Sequence, residues 1–264
     1  MSNYRNLQLH IDAHVAHLML NRPEAANSLN LELAEELNAV AHRLSRDSKV
    51  RAVLISGAGR MFCAGGDLKA FAAQPEHELG HYLERLTLNL HNAISTFSRM
   101  NAPVIAAVHG SAAGAGFSLV CACDFVIAAE TSRFTMAYTR AGLTPDGSST
   151  YFLPRIVGVR RALELAVLNP VLSAIEAKEL GIVTRVVPDA DLLNAAKSFA
   201  VDIAAGATLA YGGVKRLLAA SATNSLEAQM SLETFTISSI SASKDAREGM
   251  AAFLAKRPPK FTGE

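Results

Sequence analysis

The period of apolar and polar positions changes several times along the chain. Residues 7–20 hold two short alternating or apolar runs around Asp12 and Ala13, the pattern of a β-hairpin. Asn21-Arg22-Pro23-Glu24 is a loop, and Asn30 then stands where it can cap a helix reaching about residue 45, with Leu33, Leu37, Val40 and Leu44 on one face. Residues 50–56 predict a buried strand, and 57–66 a loop with four glycines, Gly57, Gly59, Gly65 and Gly66. Leu79, Leu83, Leu86, Leu90, Ile94 and Phe97 recur at helical spacing through 78–100. A buried strand over 104–108 leads through a glycine-rich loop into a buried helix. Another strand covers 125–129, and an irregular stretch runs from Phe134 to about residue 150.

Beyond that stretch the chain is helical. Ser173-Ala174-Ile175-Glu176 is a capping box, with Gly181 as the matching C-terminal cap. Residues 182–187 predict one more strand, and four amphipathic helices follow from Asp189 to near Lys256. Strands alternating with helices, closed by a helical tail, define an α/β class. The expected division is a core over 1–200 and a helical region over 201–264.

Residues 100–123 contain no Asp, Glu, Lys or Arg and are long enough to span a bilayer. Pro103, His109, Gly110, Ser111, Gly114, Gly116 and Ser118 interrupt the run, so strand, loop and helix are expected and no membrane partner. With 50% hydrophobic and 19% charged residues among 264, the chain as a whole is not disordered. Lys and Arg number 25 against 24 Asp and Glu, without the basic excess of a nucleic-acid binder. Cys63, Cys121 and Cys123 match neither a disulfide framework nor a zinc pair and read as core thiols. Residues 1–10 show no basic segment followed by an apolar run, so a cytoplasmic location is expected.

Chemistry is sparse at first sight. No nucleophile elbow, phosphate-binding loop or His-Glu-x-x-His occurs. Two glycine-rich turns each run into a helix: Ala64-Gly65-Gly66-Asp67-Leu68, and the turn from His109 through Gly110, Gly114, Ala115 and Gly116. N–H groups at a helix start have no intrahelical acceptor and carry partial positive charge. Two of them converging would form an oxyanion hole. Close packing of small residues explains the same composition, and local features leave both readings open.

Five segments in this order resemble the crotonase (enoyl-CoA hydratase/isomerase) superfamily. They are Leu20-Asn21-Arg22-Pro23-Glu24-Ala25-Ala26-Asn27-Ser28-Leu29-Asn30, Phe62-Cys63-Ala64-Gly65-Gly66-Asp67-Leu68, Pro103-Val104-Ile105-Ala106-Ala107-Val108-His109-Gly110, Cys123-Asp124-Phe125, and a tail from Glu248 to Arg257. The resemblance implies a ββα spiral core that binds an acyl-CoA thioester. It also implies a homotrimer, often paired into a hexamer, with the helical tail as trimerisation region. By position, the oxyanion N–H donors are Gly66 and Ala115. The CoA groove runs along Arg22, Ala25 and Ala26 and along Ala64, Asp67, Leu68 and Lys69. CoA enters as part of the substrate, and no metal or other cofactor is implied.

The superfamily shares the oxyanion hole rather than the reaction, so the acids decide the chemistry. The two glutamates of the hydratase pattern match Ser118 and Tyr138 here. Neither is an effective base near neutral pH, the phenol reference value being about 10; Tyr138 is expected to line the substrate. Asp146, in Gly142-Leu143-Thr144-Pro145-Asp146-Gly147, stands where two isomerase groups carry an acid. These are the peroxisomal-type Δ3,Δ2-enoyl-CoA isomerases and the ring-epoxide isomerases of phenylacetyl-CoA degradation. The resemblance therefore implies a catalytic Asp146 that carries a proton between C2 and C4 of an enoyl thioester. Pro-Asp-Gly is also ordinary turn chemistry. A hydratase or thioester hydrolase and a non-catalytic acyl-CoA-binding member are the alternatives. Asp67, Asp124 and His109 are expected in structural roles, and Lys256, Arg257 and Lys260 as a solvated end or contacts to CoA phosphates.

Overall fold

The hairpin forms as β1 (Leu7–Asp12) and β2 (Val15–Leu20), antiparallel, with Leu7 opposite Leu20. The structure, a computed structural model, describes residues 4–264; residues 1–3 of the segment read for a leader lie outside the described residues. Asn30 caps α1 (Leu31–Arg46) as predicted, its side-chain oxygen accepting from Leu33 N–H at 3.0 Å. Next come β3 (Ala52–Gly57), the short α2 (Leu68–Ala72) and the long α3 (Leu79–Arg99). β3 starts two residues after the predicted strand because Val50 N–H turns back to Asp47 O at 3.0 Å.

The uncharged run 100–123 divides into β4 (Val104–Val108), β5 (Ser111–Ala113) and α4 (Ala115–Ala122). No helix among the described residues is long and apolar enough to cross a membrane. The chain continues through β6 (Phe125–Ala129), β7 (Arg133–Thr135), α5 (Ser149–Val157), α6 (Val159–Leu168), β8 (Leu172–Ser173) and α7 (Ala174–Glu179). The predicted capping box is complete at α7: Ser173 and Glu176 each bond the other's backbone N–H. Of the strand predicted over 182–187, only β9 (Arg185–Val187) pairs in the sheet. Ile182 and Val183 are buried but spend their N–H groups on Ala177 O, closing the end of α7 instead.

The main sheet has the order β1-β2-β3-β4-β6-β9, parallel from β2 to β9. Its central strands are predominantly apolar because both faces are covered. Val53, Ile55, Val104, Ala106 and Val108 face the large core beneath α1, α3 and α4. Their alternates Ala52, Leu54, Ile105 and Ala107 pack against Leu192, Ala196 and Ala200 of α8 (Leu192–Ala204). Residue 200, the expected division, therefore lies inside a helix that covers the sheet. A second, three-stranded sheet, β5-β7-β8, stands beside the first.

The tail supplies α9 (Thr208–Ser221), α10 (Leu226–Ser241) and α11 (Lys244–Leu254). Lys215 of α9 ties the tail to the core. Its ammonium sits 2.7 Å from Asp124 Oδ2 and donates to Phe97 O and Ala102 O. Asp124 also accepts from Val104 N–H at 2.7 Å, the structural role expected of it. Burial pushes Asp124 up and Lys215 down from their ordinary values, and each charge opposes the other's shift.

Candidate active site

Two backbone turns meet at the start of α4. Leu29 N–H donates to Gly65 O (2.7 Å) and Asp67 N–H to Leu29 O (2.9 Å), a parallel bridge across Gly66. In such a bridge the bonds belong to the neighbours of the bridged residue, so Gly66's own N–H points away from Leu29. In α4 the ladder begins with Ser118 N–H to Gly114 O at 3.0 Å. The N–H groups of Ala115, Gly116 and Phe117 precede it and are free of the ladder. Gly114 holds φ 50° and ψ −126°, a backbone conformation suited to glycine.

The turns touch where they lack side chains. A Cβ on Gly65 would lie 2.9 Å from Ala113 O and 3.3 Å from Gly114 Cα. A Cβ on Gly116 would lie 2.5 Å from Cys63 O. Gly66 and Ala115, the expected donors, each follow the contact between Gly65 and Gly114 by one residue. The Phe71 ring covers Gly66, 2.8 Å from where its Cβ would be. Cys63, fully buried beside this contact, is pushed up to about 12 by burial, which keeps it a neutral core thiol.

The expected CoA-lining residues divide into two groups. Ala64 N–H donates to Ala26 O at 3.0 Å, which brings the segments 22–26 and 64–69 side by side. Ala64, Leu68 and Lys69 are exposed, and Ala25 and Ala26 half-buried. Arg22 and Asp67 instead pair with each other at 3.0 Å, their side chains 15% and 11% exposed. Asp67 also caps α2 by accepting from Ala70 N–H at 3.1 Å, the structural role anticipated for it. His109 braces its loop through a 3.0 Å bond between Nε2 and Gly59 O. Arg257 forms a two-pronged ion pair with Glu248.

Asp146 joins this region through side chains. The Tyr138 hydroxyl donates a short hydrogen bond to Asp146 Oδ1, and Ser118 Oγ lies 2.8 Å from the same hydroxyl. Since Tyr138 directs its own proton at Asp146, the serine hydroxyl is the donor to Tyr138. Among the described residues no other side chain hydrogen-bonds Asp146 Oδ2. Ser118 is three residues beyond Ala115 on α4, so this chain ends one helical turn from a candidate oxyanion donor. The adjoining Gly147 is pressed against the same place, since a Cβ there would lie 2.8 Å from Ser118 Cβ.

Burial raises Asp146 above the usual carboxylate range, while the Tyr138 hydrogen bond pulls it down. Burial and the neighbouring Asp146 charge push the Tyr138 phenol up, so it remains protonated and a donor. Tyr138, expected as a substrate contact, is therefore first a partner of the acid. Sequence reasoning missed His91, whose Nε2 accepts from Gly147 N–H at 3.1 Å. Among the described residues no cluster of three or more His, Cys, Asp and Glu side chains could hold a metal ion.

The arrangement pairs backbone N–H groups that are free of the helix ladder with one half-buried acid beside a helix start. A family model described as enoyl-CoA hydratase/isomerase matches residues 10–264, and the chain belongs to that family, the crotonase superfamily. The chain is 40% identical over 258 residues to 1,2-epoxyphenylacetyl-CoA isomerase of Escherichia coli (strain K12), covering 97% of each protein. It is 38% identical over 262 residues to a Rhodobacter capsulatus protein named "Probable enoyl-CoA hydratase", covering 99% of both. A crystal structure of an enoyl-CoA hydratase from Polaromonas sp. JS666 superposes with a TM-score of 0.91 at 34% identity, covering 97% of this chain and 99% of that one.

Proposed function

We propose that this enzyme is an acyl-CoA isomerase in which Asp146 moves a proton beside an oxyanion hole formed by Gly66 and Ala115. The observation that carries this reading is the chain from Ser118 through Tyr138 to Asp146. It ties one half-buried carboxyl to the first turns of α4 and leaves Oδ2 free of any bond from another side chain.

In this mechanism the thioester oxygen accepts the two backbone N–H groups, and Asp146 Oδ2 removes a proton from C2. The C2–H electrons form an enolate whose charge rests on the thioester oxygen. The double bond moves from C3–C4 to C2–C3 as C4 takes the same proton back, so no atom is gained or lost. A base near the operating pH transfers protons in both directions most effectively, and burial moves Asp146 that way. Hydration is disfavoured because Ser118 and Tyr138 spend their hydroxyls on one another and on Asp146.

The Escherichia coli relative favours a second substrate, a ring-epoxide acyl thioester, with the same donors and acid assisting ring opening and expansion. CoA would lie along Ala25, Ala26, Ala64, Leu68 and Lys69, with Arg22 and Asp67 bracing that wall. Apolar side chains left exposed on α10 and α11, among them Phe235, Ile237, Phe253 and Leu254, support a homotrimer or hexamer built through the tail. The test supplies a 3-enoyl-CoA and a ring-epoxide acyl-CoA and follows product mass and absorbance. Unchanged mass with a new conjugated thioester or ring isomer supports the reading; a gain of water overturns it.

A further inference from the structure

The turn that carries Asp146 is held from three directions. Gly147 and Ser148 follow it in the left-handed region, with φ 58° and 61°. For Ser148 that conformation is strained and has to be imposed by its surroundings. Tyr138 fixes the carboxylate through Oδ1. Ser149 fixes the Asp146 carbonyl with both its N–H (3.2 Å) and its hydroxyl (2.9 Å). The third hold comes from α3, where His91 Nε2 accepts from Gly147 N–H at 3.1 Å.

The Asp146 carbonyl and the Gly147 N–H belong to one planar peptide. Ser149 grips one edge of that plane and His91 the opposite edge. With both in place the plane cannot rotate, and the direction in which Asp146 leaves the backbone is set. A ring nitrogen that accepts carries no proton, so His91 Nε2 presents its lone pair to Gly147 in this arrangement. Its Nε2 lone pair is committed to Gly147 and is not free to take a substrate proton. The imidazole is otherwise exposed on α3, and nothing about core packing requires a histidine there.

We infer that His91 is a positioning residue for Asp146: it holds the Asp146–Gly147 peptide from α3 so that the shuttle carboxylate keeps one orientation. The inference rests on the isomerase reading of Asp146. It specifies a hydrogen-bond acceptor at residue 91, not a base.

The test compares native enzyme, His91→Ala, His91→Gln and Asp146→Asn in steady-state isomerisation of a 3-enoyl-CoA. Glutamine can place Oε1 near the position of Nε2 and accept from Gly147. His91→Ala is expected to lower kcat by about 10–100-fold, the scale of a small misplacement of a reacting group. KM should stay within about twofold, and His91→Gln should recover most of the loss. In the Asp146→Asn background, His91→Ala should cost nothing further, because the two residues act through one another. Thermal melts accompany each variant, so that a folding defect in His91→Ala is separated from a kinetic one by the rescue. An unchanged kcat in His91→Ala overturns the inference, as does a glutamine variant as impaired as alanine. A native enzyme that does not isomerise, or that tolerates Asp146→Asn, sinks the isomerase reading and this inference together. An enzyme that needs Asp146 but ignores residue 91 sinks this inference alone.

Discussion

Asp146 is a carboxyl held in a place that disfavours its charge. Burial raises it above the usual range, so the unfolded chain loses this proton at lower pH than the folded one. Stability from this group therefore falls as pH rises through that window and stays lower above it. Asp146→Asn removes the penalty and keeps an oxygen for Tyr138 to bond. Its melting temperature at neutral pH should equal or exceed that of the native enzyme in a thermal scan; a clear fall would mean the carboxylate stabilises the fold. Tyr138→Phe acts in the other direction. The Tyr138 bond lowers Asp146, so its loss raises the acid further. The acid limb of the pH profile of kcat/KM should move to higher pH. The kcat at neutral pH should fall about 10–100-fold, matching loss of a charge-assisted bond of about 1.5–3 kcal/mol. At this scale the sequence marked Asp146, Ser118 and Tyr138 separately but could not show them bonded in one chain. His91 was illegible because its partner is a backbone amide, Gly147, 56 residues away.

At the scale of elements, the site depends on α4 starting against the 63–66 turn. Gly116 lets it do so, since a Cβ there would strike Cys63 O at 2.5 Å, a backbone atom that cannot swing aside. Gly116→Ala should cost about 1–3 kcal/mol by overpacking. For a chain of this size that is a fall in melting temperature of about 2–4 °C per kcal/mol. The kcat should drop as well, because the shift separates Ala115 from Gly66; unchanged melting and kcat together would contradict this geometry. Long elements were legible in the sequence: α1 with its Asn30 cap, α3, and the apolar strands β3, β4 and β6. The sheet β5-β7-β8 was not, because strands of three, three and two residues are too short to show a period of two. The same limit misplaced the start of β9, where Ile182 and Val183 are apolar for the sake of a buried corner.

For the whole molecule, the tail is bound to the core at Lys215 and Asp124 yet leaves large apolar side chains outward. Phe253 and Leu254 are 83% and 82% exposed on the chain alone. Covering such surface is what subunit association does. Light scattering in dilute buffer should return three or six times the chain mass, and a monomer mass would contradict the proposed assembly. That the chain is α/β with a helical tail followed from its periodicity. That α8 covers the sheet did not, since its small residues Ala196 and Ala200 form a narrow apolar stripe that could face any partner.

The most direct measurement uses a 3-enoyl-CoA deuterated at C2, with native enzyme and Asp146→Asn run side by side. A single-acid shuttle predicts a conjugated 2-enoyl product with no added water and deuterium recovered at C4 from the native enzyme. Asp146→Asn should show turnover reduced by several orders of magnitude. A product heavier by one water, or an Asp146→Asn variant as fast as the native enzyme, would contradict it.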